Sequence, residues 1–294
     1  MGILVDSVTR VIVQGITGTQ GSLHTLLMLE YGTKVVAGTS PGKGGENVYG
    51  IPVYDTVEEA QERHLANSSI IFAPAQFAAE AAIESLEQGI KTIIVITEHI
   101  PLRDTIELIS YAKQVGANIV GPNTPGVITP GRCKLGILPS NEFAAGNVGI
   151  ISRSGTLMYE IASTLTKAGI GQSTCLGLGG DQVTGLNFID ALEMFKDDPE
   201  TKAVVLIGEI GGNIEELAAQ HIMKEGYPKP VVAYVAGRSA PAGRRMGHAG
   251  AIVMGKSGTA KTKIAAFETA GAQVALRPRD VARLLIPLLN KEKF

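Results

Sequence analysis

The chain is 294 residues long, enough for two domains of roughly 100 to 200 residues that each bury a core. Hydrophobic residues make up 45% and charged residues 18%, which excludes a disordered chain, and the net charge of −2 excludes a basic nucleic-acid surface. Apolar runs such as 92–97 and 231–236 suit buried strands and stop far short of the roughly 20 residues that cross a bilayer. Cys133 and Cys175 are too few for a disulfide framework and form no recognisable metal site. The N-terminus lacks the basic stretch and apolar core of a secretory signal, so the expected location is the cytoplasm, or the mitochondrial matrix if a presequence has been removed.

Short β-branched runs at 11–13, 34–36, 70–72, 93–96 and 118–120 predict strands, with helices predicted over 22–31, 76–88 and 102–115. This alternation is the βαβ pattern of a parallel sheet. The stretch 122–139, PNTPGVITPGRCKLGILP, is dense in Pro and Gly and predicts a hairpin or connector, with a domain boundary after it, near 145. A second series predicts strands at 148–151, 174–176, 204–207 and 231–234, and a helix with Leu157, Ile161 and Leu165 on one face. Two parallel α/β domains are therefore expected, 1–145 and 146–294. Such sheets bind ligands beyond the carboxyl ends of their strands.

At the first strand end, Gly15-Ile16-Thr17-Gly18-Thr19-Gln20-Gly21 opens a helix, where backbone N–H groups and the positive dipole end receive phosphates. A dinucleotide site carries Asp or Glu about 20 residues on, for the ribose. Here that place holds AGTSPGKGG, 37–45, with Lys43 in a glycine loop. A cation there suits a ligand with an extra phosphate on its ribose, such as NADP or coenzyme A. None of the seven tyrosines has Lys four residues later, which argues against a short-chain dehydrogenase. His24, in the helix behind the loop, reads as packing or surface rather than catalysis.

In the second half, Ser152-Arg153-Ser154-Gly155-Thr156 passes from strand to helix. Ser154 reads either as a helix cap alone or as part of an anion site of amides, hydroxyls and dipole. Glu209 emerges from an apolar strand in VVLIGEIGG, 204–212, which points to an orienting role. Two readings compete for RRMGHAGAIVMGKS, 244–257. From Gly250 it matches the phosphate loop G-x-x-x-x-G-K-S, but the variable residues Ala251, Ile252, Val253 and Met254 suit a strand better than an open turn. The other reading centres on His248, near Arg238, Arg244 and Arg245. An imidazole carries a phosphoryl group when a neighbour sets its tautomer and cations steady the phosphate. Glu209 is the candidate for holding one ring nitrogen while the other attacks, and the phosphate-loop match is accidental on this reading.

Taken together, GITGTQG (15–21), PGKGG (41–45), ITE (96–98), GPNTPGVITPG (121–131), GIISRSGTLMYE (149–160), IGEIGG (207–212) and GRRMGHAGAI (243–252) resemble the alpha subunits of the succinate–CoA ligase family along essentially the whole chain. The resemblance implies a Rossmann-like CoA-binding domain followed by a flavodoxin-like parallel α/β domain that carries a phosphohistidine. It implies that Thr17, Gly18, Thr19, Gln20, Lys43, Ile96, Thr97 and Glu98 contact coenzyme A and that Tyr159 lies at the acid substrate. Ser154, Gly155 and Thr156 would receive the phosphate, and Glu209 would support His248 as the phosphorylated intermediate. The implied activity is reversible, nucleoside-triphosphate-dependent formation of succinyl-CoA in the tricarboxylic acid cycle. ATP or GTP and its magnesium would be brought by an ATP-grasp beta subunit in a heterodimer or heterotetramer, with no metal site on this chain. The chain departs from the family pattern at Thr124, where many members carry Cys, and at GDQVTGLNF, 180–188, in place of GDPIPGSNF. Neither departure is expected to touch the histidine, and the second is expected near the acid site. Related ligases act on malate or citrate. A rival reading of another class is a CoA- or NADP-binding regulatory protein with an idle second domain.

Overall fold

Two seven-stranded sheets organise the described residues, which are 2–241, 246–253 and 258–290 of the computed structural model. The first contains β1 (Arg10–Gln14), β2 (Lys34–Thr39), β3 (Asn47–Val48), β4 (Ile51–Tyr54), β5 (Ser68–Ile71), β6 (Thr92–Val95) and β7 (Asn118–Val120), in the order β3-β4-β2-β1-β5-β6-β7. Helices α1 (Thr19–Glu30), α2 (Val57–Arg63), α3 (Ala75–Glu87) and α4 (Leu102–Gln114) lie between the strands along the chain. All pairings are parallel except β3 with β4. Without β3 the order is the 3-2-1-4-5-6 of a dinucleotide-binding sheet, and its crevice opens between β1 and β5, where the order reverses.

The five predicted strands and three predicted helices of this half are present, because their apolar runs are long enough to mark them. The short β3, β4 and α2 are additions. Val11, Ile12, Val13, Ile70, Ile71, Ile93 and Ile94 are fully buried, as a sheet covered on both faces requires. Gly21 lets α1 close on the first turn: a Cβ there would lie 2.1 Å from the Gly15 carbonyl oxygen.

The second sheet contains β8 (Gly126–Thr129), β9 (Cys133–Gly136), β10 (Ala145–Ser152), β11 (Gln172–Gly177), β12 (Ala203–Gly208), β13 (Val231–Val235) and β14 (Gln273–Ala275), in the order β14-β13-β12-β10-β11-β8-β9. Helices α5 (Gly155–Lys167), α6 (Phe188–Asp197), α7 (Ile214–Glu225), α8 (Ala260–Thr269) and α9 (Asp280–Asn290) accompany it. Strands β10 to β14 are parallel in the 2-1-3-4-5 order of flavodoxin-like folds, with the reversal between β10 and β12. The Pro- and Gly-rich stretch is a hairpin, β8–β9, and β8 runs antiparallel to β11. Hydrogen bonding thus groups residues 126–136 with the second sheet although they precede 145; their backbone groups satisfy the free edge of β11.

The buried face of α5 is Met158, Ile161, Ala162 and Leu165, the i, i+3, i+4, i+7 stripe of an amphipathic helix. Leu157 packs at the edge of that stripe rather than in it. Burying Ile161 and Leu165 contributes about 1.5–3 kcal/mol each, which fixes the helix start at the rim of the sheet. Among the described residues no helix is long and apolar enough to cross a membrane.

Candidate functional site

The loops beyond the carboxyl ends of the first sheet face the start of α5 across a cavity of about 580 Å³. Its first-half lining includes Gln20, Phe72, Ala73, Ile96, Thr97 and Glu98; the rest is Asn123, Thr124, Pro125, Ile137, Arg153, Gly155, Thr156, Tyr159 and His248. Residues predicted separately from the two halves are therefore neighbours.

On the first-domain side, α1 begins at Gly18 with no side-chain cap and no acid in its first turn, so its leading amides remain open to an anion. Thr17 Oγ1 donates to Ser40 Oγ at 2.9 Å, and the Lys43 N–H donates to the Ser40 carbonyl at 3.0 Å. Ser40 thereby joins the first glycine loop to the second. Lys43 is exposed and its Nζ lies 3.1 Å from Glu46 Oε1. Thr17, Gly18, Thr19 and Lys43 do not line the cavity; Thr17 to Thr19 directly precede Gln20, which does. Thr97 Oγ1 donates to the Ala73 carbonyl at 2.7 Å and its own carbonyl accepts the Asn123 N–H at 3.0 Å, which locks 96–98 to the chain entering the second sheet. His24 stacks on Phe72 with centroids 5.7 Å apart, a packing role as expected.

On the second-domain side, Arg153 follows β10 and Glu209 follows β12, the two strands that flank the reversal point. His248 Nδ1 lies 3.0 Å from both Glu209 oxygens, so the Nδ1–H donates to the carboxylate and Nε2 is left for chemistry. The hydrogen bond to Glu209 raises the histidine above its ordinary pKa; burial and the Arg153 charge oppose the rise. Gly180 lies directly under the ring: a Cβ there would sit 2.5 Å from His248 Cγ. The histidine loop is pegged by Ala251 and Val253, both buried in the core. Only Ile252 bridges there, so the apolar run is not a strand across its described part. Arg238 Nη2 donates to the Ala275 carbonyl at 3.0 Å. Arg244, Arg245, Lys256 and Ser257 lie outside the described residues.

Ser154 caps α5, its Oγ accepting the Leu157 N–H at 3.4 Å, while Gly155 and Thr156 line the cavity. One turn on, the Tyr159 hydroxyl is pushed up to about 12 by burial, so it remains a protonated donor at neutral pH. Thr124 Oγ1 donates to the Gly177 carbonyl at 2.5 Å and accepts the Gly126 N–H at 3.0 Å, tying the hairpin to β11 at the cavity wall. The loop 180–188 reaches the histidine through Gly180, a position where it matches the family pattern, and Asp181 Oδ1 accepts from Asn123 Nδ2 at 3.0 Å. The close approach needs no side chain at 180, and only packing of distant segments creates it.

Sequence reasoning did not assign a role to Arg153, Glu215 or Lys263. Arg153 Nη2 lies 3.5 Å from Glu209 Oε1, and behind it Glu215 and Lys263 are fully buried. The one available signal is that Lys263 shares the buried stripe of α8 with Ala260 and Phe267. Among the described residues no group of three or more His, Cys, Asp or Glu side chains has the placement to hold a metal ion.

A family described as CoA binding domain matches residues 6–99, and one described as CoA-ligase matches residues 151–273. The chain is 56% identical over 289 residues to the ADP-forming succinate–CoA ligase subunit alpha 2 of Archaeoglobus fulgidus, covering 98% of this chain and 100% of that one. It is 58% identical over 279 residues to the ADP-forming succinate–CoA ligase subunit alpha of Methanothermobacter thermautotrophicus, covering 95% and 94%. Among solved structures, ATP citrate lyase from Methanothrix soehngenii in complex with citrate and coenzyme A has a TM-score of 0.88 at 26% identity, covering 99% of this chain and 52% of that one. With both domains matched in order and more than half of its residues identical along nearly its whole length, this chain belongs to the succinate–CoA ligase alpha-subunit family.

Proposed function

We propose that this chain is the CoA-binding and phosphoryl-carrying half of a succinate–CoA ligase. The observation that carries the reading is the His248–Glu209 pair at 3.0 Å, on a cavity that also takes in Gln20, Ile96, Thr97 and Glu98. Nε2 of His248 attacks the terminal phosphorus of a nucleoside triphosphate, and the nucleoside diphosphate leaves. A succinate carboxylate oxygen then takes the phosphoryl group, freeing the imidazole and giving succinyl phosphate. The CoA sulfur attacks the acyl carbon, inorganic phosphate departs, and the thiol proton passes to solvent. Splitting the transfer this way conserves the triphosphate's free energy in the thioester.

Glu209 holds the Nδ1 proton through these steps and so fixes the nucleophilic tautomer. The amides of Gly155 and Thr156 at the α5 start, with the Ser154 cap, meet the phosphate. The Tyr159 hydroxyl donates to the substrate carboxylate, and Thr17 to Gln20, Lys43 and Ile96 to Glu98 hold coenzyme A. The ADP-forming relatives favour ATP as donor. A beta subunit of the ATP-grasp type brings it with magnesium, for which the described residues of this chain offer no ligand cluster. The working enzyme is an alpha–beta heteromer in the cytoplasm, with succinate as the acid.

Titration calorimetry of the isolated chain tests the division of labour. Coenzyme A should bind and ATP should not, and Lys43→Glu should weaken CoA binding about tenfold by reversing one phosphate-facing charge. ATP binding by the lone chain that disappears in Lys256→Ala would restore the phosphate-loop reading of 250–257. Gly180→Ala tests the histidine geometry: the added methyl pushes the ring off Glu209. Because a misplacement near 1 Å costs on the order of a hundredfold in rate, turnover of the assembled enzyme should fall by about that factor with CoA binding intact. Unchanged turnover would show that the ring position is not critical.

A further inference from the structure

Behind the histidine lies a second acid–base pair that the proposed chemistry leaves unused. Glu215, in the first turn of α7, and Lys263, in α8, are both fully buried. Lys263 Nζ donates to Glu215 Oε2, and to the Gly211 carbonyl at 2.7 Å. Glu215 Oε1 in turn accepts from Arg153 Nη1 at 3.1 Å and from the Glu209 backbone N–H at 3.2 Å. A line of alternating charge therefore runs Lys263, Glu215, Arg153, Glu209, His248.

An acid in a first helical turn is ordinarily explained by the helix dipole, but the dipole's favourable effect does not require complete burial. Nor does stability explain the pair, since apolar residues of similar volume serve a core as well or better. What the pair does control is Arg153. A guanidinium beside a lone carboxylate pairs with it through two parallel bonds. Here Glu215 Oε1 and the Gly211 carbonyl, the latter at 3.2 Å, both take Nη1, and Nη2 stops 3.5 Å from Glu209 Oε1, so both Glu209 oxygens stay at 3.0 Å from His248 Nδ1.

We infer that Glu215 and Lys263 are positioning residues for phosphoryl transfer: they restrain Arg153 from behind and so reserve the Glu209 carboxylate for His248. The role in transfer rests on the function proposed above; the restraint itself does not. The charged groups that face the imidazole among the described residues are Glu209 beyond β12, Arg153 beyond β10, Asp181 in the loop after β11, and Glu98 across the cavity. Freed from Glu215, Arg153 takes the Glu209 carboxylate, and the imidazole loses the acceptor that favours its protonated form.

The test uses the double variant Glu215→Gln/Lys263→Met, which removes both buried charges and keeps the volume. Its fold is checked by circular dichroism, and the His248 titration is followed by NMR of the full chain labelled at histidine Cε1, with the resonance assigned from His248→Asn. The midpoint is expected to fall by about one pH unit, a tenfold change in proton affinity. In the assembled enzyme kcat should fall about tenfold or more while KM for coenzyme A is unchanged. Glu215→Asp, which keeps the buried charge but shortens its reach to Arg153, should move the midpoint the same way and serves if the double variant does not fold. An unchanged midpoint in a folded variant overturns the positioning role, even with His248 phosphorylated normally. Phosphate found on another residue overturns the function proposed above and leaves the titration result standing.

Discussion

His248→Asn should leave a folded chain that still binds coenzyme A, while phosphate incorporation and ligase turnover fall by a factor on the order of 10⁴ or more, the scale for removing a covalent nucleophile. Asn can hydrogen-bond to Glu209 in place of Nδ1–H but offers no nucleophilic nitrogen, so packing survives and chemistry does not. The assembled enzyme is incubated with labelled triphosphate, quenched at alkaline pH where a phosphorylated imidazole persists, and digested to map the label. Label on any residue other than His248, or undiminished label in the variant, would sink the assignment. Glu209→Gln should be less severe, because a neutral amide keeps the contact and loses the charge.

The pH dependence follows from the same pair. Only the neutral imidazole attacks, and Glu209 raises the His248 pKa, so the phosphorylation rate climbs as pH rises through that raised midpoint. Glu209→Gln lowers the midpoint, moving the acid limb to lower pH while reducing the plateau. For stability the sign is opposite. A histidine raised by folding contributes fully below its unfolded pKa of about 6.5 and loses that contribution as pH rises through the folded value.

Lys263→Met should be the most destabilising single change in the site, by about 3 kcal/mol, because it strands the Glu215 carboxylate in a fully buried place. Breaking a buried pair costs about 3–5 kcal/mol, and the low end applies since Arg153 and the Glu209 amide still reach Glu215. The melting temperature of the chain should drop by about 10 °C. Adding Glu215→Gln should recover part of the loss, since the fully buried charge is then gone while Glu216, 3.6 Å from Lys263 Nζ, still lacks its cation. Urea denaturation of wild type, single and double variants measures both. A single variant within about 1 kcal/mol of wild type would mean that a water molecule already serves Glu215.

Much of the site was legible because its residues are locally out of place. Glu209 is an acid on an apolar strand, and His248 is an imidazole in a glycine loop, so each stands out within a few positions of itself. Gly15, Gly18 and Gly21 open a helix directly after a strand, a pattern with a known use at phosphates. Arg153, Glu215 and Lys263 were not legible for the converse reason. Glu215 looks like any first-turn acid, and Lys263 looks like any helical lysine until its neighbours on the stripe are seen to be buried.

By itself the sequence determined two parallel α/β sheets, the strands with long apolar runs and the family, and it singled out His248 as the candidate for the reacting residue. The strands depend on periodicity and composition within one element, where each residue's burial is imposed by its immediate neighbours, and the family on the resemblance of motifs spread along the chain. The tertiary structure alone decided that the hairpin pairs with β11, that Gly180 lies under the imidazole, that Nδ1 is the nitrogen facing Glu209, and that Arg153 is held from behind. Those contacts join residues such as His248 and Glu209, 39 positions apart, Arg153 and Glu215, 62 apart, and Lys263 and Glu215, 48 apart. Which side chains meet over such separations is set by how strands are ordered in a sheet and helices packed on it, and no local pattern in the chain records that order.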